Sequence, residues 1–89
     1  MDAHTKAFSV RTETQLESTT MTSVILFQSL KSALNYAEAE GTNLKAPNNQ
    51  EFKLTEYSLE FDRPYFYGLG FDNNGTLISL AVAEEKIYE

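Results

Sequence analysis

Tyr65-Phe66-Tyr67-Gly68-Leu69-Gly70-Phe71 runs into Asp72-Asn73-Asn74-Gly75 and leaves through Thr76-Leu77-Ile78-Ser79-Leu80-Ala81-Val82. Asn-Gly between two apolar runs is the strongest short-range hairpin signal, because a type I′ turn needs positive φ at both central residues. With Asn74-Gly75 at the turn centre, Phe71 faces Ile78, Leu69 faces Leu80 and Tyr67 faces Val82. Those six large apolar side chains then share one face, and Gly68, Gly70, Ser79 and Ala81 line the other. A slip of one residue would exchange the faces, so the pattern predicts its own register. Two glycines on one sheet face also predict the close approach of another backbone or side chain.

The segment before this hairpin has a period of two that changes phase. Phe52 and Leu54 share one parity, and Tyr57, Leu59 and Phe61 share the other. One inserted residue produces such a shift, so a strand over residues 50–61 with a β-bulge at Thr55-Glu56 is expected. Asp62-Arg63-Pro64 ends it, since proline cannot donate to a ladder. Residues 42–50 read as a loop.

Earlier in the chain, Phe8, Val10, Thr12, Thr14 and Leu16 alternate with Ser9, Arg11, Glu13, Gln15 and Glu17, the pattern of a half-buried strand. Ser18-Thr19-Thr20 breaks it. Residues 1–5 are polar and without period, and are expected to form a flexible tail. Leu30, Ala33, Leu34 and Ala37 recur at helical spacing, which predicts a helix over 29–40 with Ser29 as cap and Gly41 as a left-handed stop. A short strand at 22–27 precedes it; a single helix over 23–40 is the alternative.

These elements predict one α+β domain over residues 6–89. Its small antiparallel sheet has four or five strands, ending in a three-strand meander, with one helix across one face. The expected core is Phe52, Leu54, Tyr57, Leu59, Phe61, Tyr67, Leu69, Phe71, Ile78, Leu80 and Val82 against Leu30, Leu34 and Ala37.

Composition narrows the chemistry. At 89 residues the chain supports one core and no deep enclosed cavity. It has no cysteine, which removes disulfides, thiolate metal sites and cysteine nucleophiles, and fits a cytoplasmic protein. No apolar run approaches the roughly 18 residues of a membrane-spanning helix. His4, the one histidine, falls in the expected tail, where no general base is held in place. Asp72-Asn73-Asn74-Gly75 fails as a calcium loop at Thr76 and has no closing glutamate. Gly68-Leu69-Gly70 has no helix start behind it to hold a phosphate. No catalytic residue, metal ligand or cofactor is expected.

The net charge of −6 is uneven: residues 51–89 carry eight acids against three bases. Such a domain repels phosphate backbones and complements a basic surface, so a protein partner is expected and direct nucleic-acid binding is not. On the expected strand, Glu56, Ser58, Glu60 and Asp62 form an outward row, with Tyr65 beside it after the Pro64 corner. Glu56, Glu60, Asp62 and Tyr65 are therefore the expected partner-binding residues. A solvated sheet face is the competing reading of the same row.

Three functional classes remain. The first is a small acidic binding protein that modulates or inhibits its partner. In composition, though in no defined motif, such a chain is similar to the inhibitors that phages and mobile elements direct at host nucleases, polymerases or defence complexes. The second is a structural subunit that forms a homodimer or larger assembly through exposed sheet edges. The third is an enzyme using paired carboxylates, which needs a cleft that one small core is poorly equipped to build.

Overall fold

The computed structural model describes residues 4–47 and 50–88. Five strands form one antiparallel sheet: β1 (His4–Gln15), β2 (Thr20–Phe27), β3 (Thr55–Glu56), β4 (Tyr65–Phe71) and β5 (Leu77–Tyr88). Helix α1 (Leu30–Gly41) follows β2, and a single helical turn, α2 (Ser58–Phe61), separates β3 from β4. The spatial order is β2-β1-β5-β4-β3, so the first and last strands lie side by side in the middle. The three C-terminal strands form the expected meander. Strand β1 begins at His4, inside the segment expected to be a tail; residues 1–3 lie outside the described part.

Alternation along β1 works as the sequence suggests. Val10 sits opposite both Ile25 and Val82, and Phe8 sits opposite Phe27. Val10, Leu80 and Val82 are the largest fully buried side chains, covered by Ala33 and Ala37 of α1. Two alanines one turn apart let the helix axis approach the sheet closely. Leu30, Leu34 and Tyr36 flank that line, and the Tyr36 ring packs on Phe27 with centroids 5.4 Å apart. Ser29 caps the helix by accepting from the Ser32 N–H at 3.1 Å. Residues 20–27 are strand, which settles the choice against one long helix. Gly41, however, is the last helical residue and has ordinary backbone angles; it is no left-handed stop.

The hairpin exists, but its register is one residue from the expected one. Phe71 faces Leu77, Leu69 faces Ser79 and Tyr67 faces Ala81, while Phe66, Gly68 and Gly70 face Val82, Leu80 and Ile78. The cause is the turn. Gly75 N–H bonds to Asp72 O, Asp72 N–H bonds to Thr76 O, and within this loop only Gly75 has positive φ, at 79°. This is a three-residue loop, a turn followed by a left-handed glycine, in place of the two-residue type I′ turn. The Asp72 carboxylate stabilises it by accepting from the N–H groups of Asn74 at 2.8 Å and Thr76 at 2.9 Å. One extra loop residue exchanges the faces of β4. Tyr67, Leu69 and Phe71 therefore lie on the side away from α1, not in the core as expected.

The glycines take the core side because Phe52 needs the space. A Cβ on Gly68 would lie 2.5 Å from Phe52 Cζ and 2.8 Å from the Lys53 carbonyl oxygen. One on Gly70 would press on Leu44, the Lys45 carbonyl and the same ring, and one on Gly41 would meet that ring as well. The segment between α1 and β3 thus lies across the sheet, pinned by paired bonds between Lys45 and Phe71. Phe52 and Leu54 pack into the core as expected.

The strand expected over 50–61 is only two residues long. The chain leaves the sheet after Glu56, turns through α2, and reverses at Asp62, which holds φ 57°. The phase change at Thr55-Glu56 therefore marks the end of pairing rather than a bulge. Tyr57 is half-buried, Phe61 is exposed, and Leu59 is 100% exposed, so none of the three joins the core under α1.

Leu80→Ala should lower unfolding free energy by about 2–5 kcal/mol through lost burial and a residual cavity. Leu59→Ala should move the denaturant midpoint very little; equal losses for the two variants would contradict the observed register. Gly68→Ala should cost about 1–3 kcal/mol by overpacking against Phe52. Gly75→Val should cost about 1–2 kcal/mol by forcing a β-branched residue into positive φ.

Candidate interaction surface

Helix α1 covers one face of the sheet, and among the described residues no second layer covers the other. Side chains alternate across a strand, so the register defines the uncovered face rung by rung. One rung reads Leu26, Ser9, Ala83 and Tyr65; the next reads Val24, Arg11, Ala81, Tyr67 and Thr55; a third reads Thr22, Glu13, Ser79 and Leu69. The middle strands contribute mainly short side chains, and β4 contributes a tall aromatic and aliphatic row. Ser9 is buried on this face and donates its hydroxyl to Glu85 Oε2 at 3.0 Å.

An aromatic cluster closes one end of the row. The Tyr65 ring lies 4.6 Å from Phe61 and 6.4 Å from Tyr57, centroid to centroid, in tilted arrangements that suit aromatic quadrupoles. Local hydrogen bonds hold the cluster. The Tyr57 N–H bonds to Tyr65 O at 2.8 Å, and the Tyr65 N–H bonds to Ser58 Oγ at 3.2 Å. These clamp both ends of the connection between β3 and β4. Asp62 completes the reversal in the left-handed region, which aspartate tolerates better than most side chains.

Of the four residues expected at a binding site, three are grouped here. Glu60 and Asp62 are exposed on and just after α2, and Tyr65 packs directly on Phe61 between them in sequence. Glu56 sits differently. It pairs with Phe66, whose side chain packs against the core, so Glu56 leaves the sheet on the face opposite Tyr65. It lines a shallow hollow with residues 57–60 at the sheet edge. The four do not form the straight strand row expected, because α2 replaces the strand.

The surroundings are not uniformly acidic. Asp62, Glu84 and Glu85 share a shallow groove with Phe61, Arg63 and Lys86. The exposed carboxylates act through water, where salt of about 0.1 M screens beyond about 10 Å. A third depression, between the end of α1 and the segment preceding β3, mixes Glu38 and Glu51 with Lys45 and Lys53. Among the described residues no three His, Cys, Asp or Glu side chains are grouped as metal ligands. The Asp72 carboxylate is engaged by its own turn. No helix among the described residues is long and apolar enough to cross a membrane.

The uncovered face itself escaped the sequence reading. Tyr67, Leu69 and Phe71 belong in the core only under a two-residue Asn74-Gly75 turn, and the three-residue loop turns them onto this face. Leu59 belongs in the core only on a continuous strand over 50–61, which α2 interrupts. Compared with protein-family models, curated proteins and solved structures, the chain matches none of them.

Proposed function

We propose that this is a non-enzymatic binding protein that docks on a basic surface of a macromolecular partner and modulates or inhibits it. The observation that carries the reading is the corner formed by α2 and the start of β4. There the half-buried Tyr57 and Tyr65, the exposed Phe61 and the fully exposed Leu59 lie beside the exposed carboxylates of Glu60 and Asp62. Aromatic anchors with a charged rim are the anatomy of protein interfaces, and tyrosine offers large contact area at low rotamer cost. Glu56 contributes to the field from the neighbouring edge.

The charge of residues 51–89 gives direction to that field. It suits a basic protein groove, including one that otherwise holds nucleic acid, and disfavours a phosphate backbone. A cytoplasmic inhibitor of the phage or mobile-element kind, aimed at a host nucleic-acid-handling or defence protein, fits this description.

The test separates charge from anchor. A partner captured from lysate of the source cells is purified, and association is followed at low and high salt. Changing Glu56→Lys and Glu60→Lys together with Asp62→Asn, which keeps a side chain suited to positive φ, should slow association about tenfold at low salt. High salt should slow the parent and narrow the gap. Tyr65→Ala should instead speed dissociation. A folded charge variant that binds as the parent does at both salt levels would refute the docking role.

A further inference from the structure

Strand β2 is the outer strand on one side of the sheet, and among the described residues nothing guards that edge. Residues 20–27, Thr-Met-Thr-Ser-Val-Ile-Leu-Phe, contain no charge and no proline, and all pair with β1 without a bulge. Met21 is 62% exposed, Leu26 55%, Val24 49% and Ile25 37%, so both faces of the strand show aliphatic surface. Natural edges are normally short, charged, bulged or covered. The opposite edge obeys that rule, since β3 has two residues and runs into the acidic α2 corner.

The backbone parity of β2 is fixed. Leu16 N–H bonds to Thr19 O at 2.8 Å, so hydrogen-bonded pairs with β1 fall at Met21, Ser23, Ile25 and Phe27. The amides and carbonyls of Thr20, Thr22, Val24 and Leu26 therefore point outward. Among the described residues no other backbone segment bonds to them.

We propose that β2 pairs antiparallel with β2 of a second copy across a two-fold axis at Ser23, joining two sheets into one of ten strands. This register opposes Thr20 to Leu26 and Thr22 to Val24 of the partner copy. It thereby satisfies all four outward residues of each strand. On one face Met21 meets Ile25 of the other copy, and on the other the two Val24 side chains lie diagonally. No charge on β2 meets a like charge. The opposite edge differs, since β3 carries Glu56 and runs into Glu60 of α2. Helix α1 packs chiefly on β1 and β5 and less on β2, and a two-fold axis normal to the sheet puts both helices on the same face.

The seam leaves the α2 corner open, and its salt response has the opposite sign. Two copies of net charge −6 repel at long range, so salt strengthens the dimer while weakening an acidic dock.

Sedimentation equilibrium of the full chain should report twice the 10.1 kDa chain mass at micromolar concentration, more firmly at raised salt. Val24→Lys should weaken the dimer about tenfold or more by placing like charges diagonally and removing apolar area. Val24→Pro should do the same by deleting an outward N–H that β1 does not use. Register is read with a single thiol, since the chain has none. Ser23→Cys should cross-link with its own copy under mild oxidation, because directly opposed strand residues suit disulfide geometry. Leu26→Cys, roughly 20 Å from its symmetry mate at strand rise, should not. A chain that stays monomeric at hundreds of micromolar overturns the proposal. So does a dimer that survives both Val24 changes, or one in which Leu26→Cys links as readily as Ser23→Cys.

Discussion

The ring of Phe52 settles where every layer of this molecule can sit. It occupies a slot formed by glycines from two elements, Gly41 at the end of α1 and Gly68 and Gly70 on β4. A side chain at any of these positions would compete with the ring or with the backbone that carries it. Seating Phe52 draws the segment after α1 down onto the sheet, where Lys45 exchanges backbone bonds with Phe71. It also obliges β4 to turn its glycines inward. Tyr65, Tyr67, Leu69 and Phe71 must then face outward. The uncovered aromatic row is a consequence of how the core is filled, and its use in binding would cost the fold nothing further.

The architecture was readable in the sequence wherever local chemistry and alternation agreed. Ser29 before a helical repeat gave the start of α1, and Val10 among alternating threonines gave β1. Glycine spacing on β4 announced a close approach, although the ring that makes it lies sixteen residues away. The hairpin shows where reading by pattern stops. Asn73-Asn74-Gly75 accommodates a two-residue or a three-residue loop with similar ease, and only the Asp72 bonds and the demands of Phe52 select the latter. A shift of one residue then moved Tyr67, Leu69 and Phe71 across the sheet.

The candidate site was legible as a neighbourhood but not as a geometry. Glu60, Asp62 and Tyr65 are close because α2 and the left-handed Asp62 fold the chain back, and strand parity had no part in it. Glu56 was assigned by that parity and consequently falls on the other face. The exposed edge of β2 was invisible for a different reason. Which strand lies outermost depends on β1 pairing with β5, a contact between residues some seventy positions apart that no local pattern encodes.

That long-range pairing also bears on how the molecule comes into being. Contacts between distant parts of a chain must close a large loop before they return any stabilisation, and proteins rich in them fold slowly. Here β5, which buries Val10 from one side, follows every other element of the sheet in chain order and so emerges from the ribosome after them. Until β5 arrives, the β1–β2 hairpin and α1 hold an incomplete core with two unpaired edges where the finished sheet has one on that side. The nascent chain is thus most prone to misassociate before β5 has emerged, and the inner edge of β1 is the place where a chaperone would have most to protect.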